Sequence, residues 1–245
     1  MTYLFWLPLV VFYTVGFVGA FTPSVEETAM ALINSEHYWS AYESERLLIE
    51  RLEAVFWLVG CIGFSLGTLR QRFLGPRLWL AFFFLICFVA LGEETSWGQH
   101  YLGYQPPGFI AEMNAQNELN LHNADLAAIF DVSPEDRSFP YFGNLTHYLN
   151  PVFFIFCLCV WGVMPIFTRT RWRKVSAVMT YPLYGPSFYT ALWGFSGLFL
   201  VTDRLFFDAG ELLELTLATV GGYLGLLTAL ERYHPCEEVV EPSGR

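Results

Sequence analysis

The sequence predicts an all-α fold: a polytopic membrane helix bundle of about six transmembrane helices, with a structured extracytoplasmic loop. Three observations lead there. Apolar residues make up 54% of the 245 residues and charged residues only 15%, against about 25% charged in a typical soluble domain, and mean hydropathy is +0.40. Apolar runs of near-bilayer length recur along the chain. Charge is segregated, with most basic residues in two short loops and most acids elsewhere. The net charge of −10 excludes a nucleic-acid binder, since a phosphate backbone would be repelled. The apolar content excludes a disordered chain.

A hydrocarbon core about 30 Å thick takes roughly 20 apolar residues in a helix. Backbone polar groups in lipid must be satisfied within the segment, so the runs are helices. The first, Tyr3–Phe21, contains the small-residue stretch Val18-Gly19-Ala20. No Lys or Arg precedes it, and with Met1 present it reads as a retained span and not a cleaved signal peptide. The second, Ala54–Leu69, extends backwards through the helical pattern Glu45–Glu53, and the third, Leu78–Gly92, is lengthened at both ends. Pro151–Thr168 follows. Val175–Val201 comes next, kinked or broken around Gly185 by Pro182 and Pro186. The last run, Leu212–Leu230, carries Gly221-Gly222-x-x-Gly225, which suits close helix packing. Residues 1–235 thus make one transmembrane domain with outer loops at 22–52 and 93–150, and 236–245 form a short tail.

Seven of the thirteen basic residues lie in two loops: Arg70, Arg72 and Arg77, then Arg169, Arg171, Arg173 and Lys174. The positive-inside rule places these loops and both termini in the cytoplasm. The opposite side is acidic. Residues 93–148 carry Glu93, Glu94, Glu112, Glu118, Asp125, Asp131, Glu135 and Asp136 against Arg137 alone, and His37, His100, His122 and His147 share that side. Cys61, Cys87, Cys157 and Cys159 fall within spans and Cys236 on the cytoplasmic side, so no structural disulfide is expected. Cys157 and Cys159 point to opposite sides of a helix.

The first outer loop opens with the capping box Ser24-x-x-Glu27. It leads into a surface helix bearing Met30, Leu32, Ile33, Tyr38 and Trp39. The second, about 58 residues long, is too long for a plain connector. Pro106-Pro107-Gly108 turns the chain, Phe109–Asp125 reads as a helix, and Ser133-Pro134-Glu135-Asp136 starts another turn. Asn144-Leu-Thr146 is a formal glycosylation sequon.

Chemistry concentrates in this second loop. Glu93 and Glu94 follow directly on an apolar span, where ionisable groups are expensive and mark function. If that helix continues to Gln99, Glu93 shares a face with Trp97. Asparagine recurs at 114, 117, 120 and 123, an odd choice for a helix because its side chain competes for the backbone. On a helix, Asn114, Glu118 and His122 fall four apart on one face, with Asp125 a further step of three. The candidate metal ligands are Glu94, Glu118 and His122, holding a divalent ion. The candidate catalytic residues are Glu93 as general base, Glu94 and His122. Asn114, Asn120, Asn123, Trp97 and Gln99 are candidate substrate contacts. The blander reading is a solvated polar face, or a hydrogen-bonded network that locks the loop to the bundle. In the last hairpin Asp203, Arg204, Asp208, Glu211 and Glu214 crowd together. Glu211 suits a helix N-terminus. Glu214 sits deeper, and either pairs with Arg204 or completes the outer-face site.

Ser96-x-x-x-His100 has the spacing of one half of the zinc site in ceramidase-like hydrolases, but the second His-x-x-x-His pair is missing and only His234 lies near the C-terminal end. The string Glu93-Glu94-Thr-Ser-Trp-Gly-Gln99, followed by Asn114-x-Gln-x-Glu118-x-Asn120-Leu-His122-Asn123, resembles a group of bacterial multi-pass membrane proteins of unassigned activity. The resemblance covers about thirty residues and implies a bacterial inner-membrane setting but no reaction. In that group the position of His100 is often another basic residue. Three functions stay open. One is a non-catalytic subunit or assembly partner of a membrane complex, touching membrane lipids and other membrane-protein subunits. Another is a metal-dependent hydrolase or transferase acting on a lipid or lipid-linked substrate. The third is a small-solute or ion carrier.

Overall fold

The computed structural model describes residues 2–22, 48–114, 117–121, 123–132, 145–169, 182–184, 186–205, 210–231 and 234–235. The expected capping box at Ser24 and Glu27, the turn at Ser133, the sequon at Asn144, His37, His122 and Cys236 all lie outside the described residues.

The fold is all-helical, apart from an antiparallel pairing of β1 (Pro182–Leu183) with β2 (His234–Pro235). A 3-10 turn over Thr2–Trp6 leads into α1 (Leu7–Phe21). Helices α2 (Leu48–Arg70) and α3 (Leu74–Glu94) form an antiparallel hairpin. Short helices α4 (Gln99–Leu102), α5 (Gly108–Met113) and α6 (Leu126–Ile129) shape the long loop. Helix α7 (Thr146–Cys157) runs through a π-helical stretch, Leu158–Val163, into α8 (Met164–Arg169). Helices α9 (Pro186–Leu205) and α10 (Gly210–Ala229) complete the bundle. Among the described residues, four helical stretches are long and apolar enough to cross a membrane: Ile49–Arg70, Leu74–Glu94, Tyr148–Ile166 and Leu212–Ala229. Shorter apolar helices cover Leu4–Val15 and Phe188–Leu200.

The runs expected at Ala54–Leu69 and Leu78–Gly92 are lengthened as the sequence suggested, to Leu48–Arg70 and Leu74–Glu94. Within the run expected as Val175–Val201, Pro182–Leu183 form a strand and a helix starts at Pro186, while residues 175–181 and 185 lie outside the described residues. Proline lacks the N–H that an interior position needs but fits the first helical turn.

Helix α10 is the centre of the bundle. Its span is 83% buried, against 28% for α3, as expected of a helix that is apolar all round. Its approach to α2 depends on glycine. A Cβ built on Gly63 would lie 2.1 Å from the carbonyl oxygen of Gly225, and one on Gly225 would lie 2.6 Å from the Cα of Gly60. The two backbones are therefore in direct contact, the small-residue mode of helix association in membranes. Aromatic rings fill the opposite side of α10, with Trp6 stacked on Phe195 at 5.3 Å and edge-on to Tyr223 at 5.2 Å. Buried hydroxyls tie neighbouring segments together, Tyr13 of α1 to Thr216 of α10 at 2.9 Å and Tyr184, just after β1, to Thr228 of α10 at 2.8 Å. Cys157 is buried and Cys159 exposed, on opposite sides of the helix.

The hairpin gives the bundle a basic end and an acidic end. Arg70 closes α2 at the basic end, where its guanidinium donates to the Ala229 carbonyl at 2.8 Å. Glu94 closes α3 at the other.

Candidate functional site

Helix α3 stops at Glu94 and does not continue to Gln99. Ser96 (φ 46°), Trp97 (φ 54°) and Gly98 (φ 87°) all adopt left-handed backbone. Two non-glycine residues in that region cost on the order of 1–3 kcal/mol each, so surrounding contacts must hold them. They do. The Ser96 hydroxyl donates to Glu118 Oε2 at 2.7 Å, and the Trp97 indole N–H donates to Glu93 Oε1 at 3.0 Å. The Tyr104 hydroxyl reaches the carbonyls of Ser96 and Trp97 at 3.3 and 3.1 Å. The indole lies over Gly92, where a Cβ would come within 2.8 Å of the ring, and meets Phe88 edge-on at 5.9 Å. Glu93 and Trp97 thus meet as expected, across a broken helix.

The expected helix over Phe109–Asp125 is corrected. It ends at Met113, and Asn114 is extended (φ −118°, ψ 130°). Asn117 is left-handed at φ 57°, a conformation asparagine tolerates. Asn114 and Ala124 form an isolated antiparallel bridge. Asn114 and Glu118 therefore share no helical face. The physical reason is the asparagine chemistry itself, because these side chains bond nearby backbone and offer it an alternative to the helix. Asn114 Oδ1 accepts from the Glu118 amide at 3.1 Å, and Asn120 Oδ1 accepts from the Asn123 amide at 3.3 Å. Asp125 caps α6 by accepting from the Ala127 amide at 2.8 Å.

The result is a buried polar knot. Glu118 Oε2 accepts from Ser96, from Asn120 Nδ2 at 2.5 Å and from Asn123 Nδ2 at 3.3 Å. Asn120 Nδ2 also reaches Ser96 Oγ at 3.1 Å, and Asn114 Nδ2 donates to Asn120 Oδ1 at 2.9 Å. Gln99 clasps the loop from the other side, its Oε1 accepting from the Leu119 amide at 2.8 Å and its Nε2 donating to the Asn117 carbonyl at 3.2 Å. Glu93 Oε2 accepts from the Leu121 amide at 2.6 Å, a charge-assisted bond. Candidate residues Glu93, Trp97, Gln99, Asn114, Glu118, Asn120 and Asn123 are thus brought together by bonds within the loop and by bonds from the end of α3 and the turn after it to the loop.

Glu94 is placed elsewhere. It joins Glu53 of α2 and Glu214 of α10, each offering a carboxylate oxygen within 4.8 Å of the others. Glu118 is not part of that group. His122, the third expected ligand, lies outside the described residues. Glu53 is fully buried, and Asn150 Nδ2 donates to Glu214 Oε1. At this separation two ionised carboxylates repel by about 3 kcal/mol at an effective dielectric near 20, a cost relieved by protonation or by cationic charge. Among the described residues these three acids could together hold a cation. Glu214 thus lies near Glu94, while the side chain of Arg204, its other expected partner, lies outside the described residues.

Sequence reasoning missed Glu53, although the signal was present. It lies seven residues before Gly60, on the face of α2 that meets α10, at the edge of an apolar run where an acid is costly. Beside the triad opens a largely apolar groove of about 510 Å³ between α3 and α7, with Trp57 and Leu217 also in its lining and Glu93, Glu94, Asn150 and Glu214 at its acidic end.

Comparison with family models, with curated proteins and with solved structures gave no match.

Proposed function

We propose that this chain is a multi-pass inner-membrane protein of bacterial type that works by binding, as a non-catalytic subunit or assembly partner of a membrane complex. In this reading all six apolar helices cross the bilayer. The arginine-rich loops and both termini lie in the cytoplasm, and the polar knot and acid triad face the extracytoplasmic side. The observation that carries it is the state of Glu118, which is buried and accepts from Ser96, Asn120 and Asn123 through one oxygen. A satisfied network of this kind specifies one loop arrangement and so presents a rigid surface to a partner. Mild solubilisation followed by cross-linking and mass spectrometry tests it. A stoichiometric membrane partner is expected, with cross-links mapping to residues 93–150. A chain that runs alone under every solubilising condition, with full phenotype, overturns it.

A second reading is favoured by the convergence of Glu53, Glu94 and Glu214: a metal-dependent hydrolase or transferase acting on a lipid or lipid-linked substrate. All-oxygen ligation by carboxylates suits a hard divalent ion. Such an ion polarises a scissile group or activates water. Elemental analysis of the purified protein decides this reading. It requires about one divalent ion per chain in the wild type and its loss in Glu94→Gln; a metal-free, fully active wild type excludes it.

A further inference from the structure

The turn between α2 and α3 carries Arg70, Arg72 and Arg77 within eight residues and no acid. It lies where two membrane-length spans end, Ile49–Arg70 and Leu74–Glu94, which is headgroup depth in a bilayer. A pocket of about 310 Å³ opens there against the end of α10, with Arg70, Arg72, Phe73, Thr228 and Glu231 in its lining. That volume lies at the lower end of the range of about 300–1,000 Å³ usual for small-molecule sites. Arg77 fixes the shape of the turn, its Nε and Nη2 donating to the Gln71 carbonyl at 2.9 and 2.6 Å. Arg70 donates to the Ala229 carbonyl at 2.8 Å and lies 3.8 Å from Glu231. The side chains of that pair are 52% and 73% exposed, and an ion pair so exposed is worth at most about 1 kcal/mol, so an incoming anion displaces or joins it at little cost. Arg72 has no hydrogen-bond or ion-pair partner among the described residues. Glu231 is the one acid against two arginines in the described lining. Around these charges Leu69, Phe73, Leu74 and Leu78 are exposed.

We propose that this pocket holds the phosphate of an anionic membrane lipid, with Arg72 and Arg70 as its donors. A guanidinium presents its N–H groups as a planar fork that matches phosphate oxygens, and basic pockets at the ends of membrane helices suit anionic lipid heads. The exposed leucines and Phe73 meet the chains of the same lipid layer. A free phosphate shares the chemistry of the head but brings no chain for those side chains. A zwitterionic head brings its own cation, which the arginines repel. This goes beyond both readings above: it uses none of the residues that carry them, and it stands whichever side of the membrane the turn faces.

The test uses the full chain, purified in detergent and delipidated. It is offered phosphatidylglycerol and phosphatidylcholine with identical acyl chains at equal concentration, and retention is read by native mass spectrometry. The two lipids share chains and phosphate, so their ratio isolates the net negative charge. Wild type should retain the glycerol lipid at least about fivefold better, the ratio that one arginine near an anionic head supports. Arg72→Gln should lose most of that preference at an unchanged melting temperature, and Arg70→Gln with Arg72→Gln should retain both lipids about equally. Glu231→Gln should raise the preference, because it removes the competing carboxylate. Arg51→Gln, at the other end of α2, should leave it unchanged. Inorganic phosphate at the concentration of the lipid should leave retention as it was. Equal retention by wild type overturns the proposal, as does a preference that survives the double substitution. A preference lost as fully in Arg51→Gln reports net charge and not a site, and overturns it too. Displacement of the lipid by inorganic phosphate overturns the lipid as ligand. A preference that emerges only when Glu237, Glu238 and Glu241 are all changed to Gln overturns it in favour of the acidic tail as the occupant.

Discussion

Asn120→Ala is the sharpest probe of what the polar knot does. The side chain sits at its hub. Nδ2 donates to Glu118 Oε2 at 2.5 Å and to Ser96 Oγ at 3.1 Å, and Oδ1 accepts from Asn114 at 2.9 Å and from the Asn123 amide at 3.3 Å. Truncation removes all four while Ser96, Asn114, Glu118 and Asn123 stay buried. Asn114 Nδ2 keeps the Asn120 carbonyl at 3.0 Å, and Glu118 keeps Ser96 and Asn123. The net loss is one bond to a charged group and two neutral ones, about 3–4 kcal/mol with their desolvation. In a chain of this size that lowers the melting temperature by roughly 10 °C. The left-handed turn at Ser96 and Trp97 loses a support at the same time, so α3 frays at its acidic end. Differential scanning fluorimetry in detergent reads the first effect, and amide exchange over residues 93–123 reads the second. Asn120→Asp should be worse, since it places a second carboxylate against Glu118. An Asn120→Ala protein that melts like wild type yet loses its phenotype refutes the structural reading and makes Asn120 a contact residue.

Gly63→Ala should destabilise by at least about 1–3 kcal/mol, the usual cost of overpacking, because its Cβ must move from 2.1 Å to ordinary contact at 3.4 Å from the Gly225 carbonyl. Gly194→Ala, with nothing within 4 Å of its Cβ, should be neutral or stabilising by up to about 1 kcal/mol. Equal melting temperatures for the two variants contradict the glycine contact. Gly92→Ala should displace the Trp97 ring and lengthen its bond to Glu93, read as a red shift in a variant retaining Trp97 as its sole tryptophan. An unshifted spectrum counts against the stacked geometry. Asp125→Ala should cost about 1 kcal/mol through loss of an N-cap, visible as faster amide exchange at Ala127 and Ala128. Unchanged exchange there means that Asp125 is no cap.

The apolar helices were legible from composition and run length, because the lengths and apolar character of such segments follow from local sequence. The interruption of the fifth run by Pro182 and Pro186, and Gly221-Gly222-x-x-Gly225 as a packing face, were legible for the same local reason. Asparagine spacing was legible as an anomaly but misread as a helix. The residues that make Asn114–Asp125 look periodic are those whose side chains compete with the helical backbone.

What the sequence determined by itself is the material: an apolar chain, helices of membrane length, and acids gathered apart from arginines. Which helix is central came only from the tertiary structure, since all the runs are similarly apolar and burial depends on neighbours. The partition of the acids came from there too. Glu93 and Glu94 are adjacent in the chain, yet Glu93 bonds the loop through Trp97 and Leu121, while Glu94 joins Glu53 and Glu214 from two other helices. Successive side chains near a helix end point about 100° apart. Which neighbour each one meets is therefore decided by the packing of α2, α3 and α10, through glycine contacts far from the acids themselves.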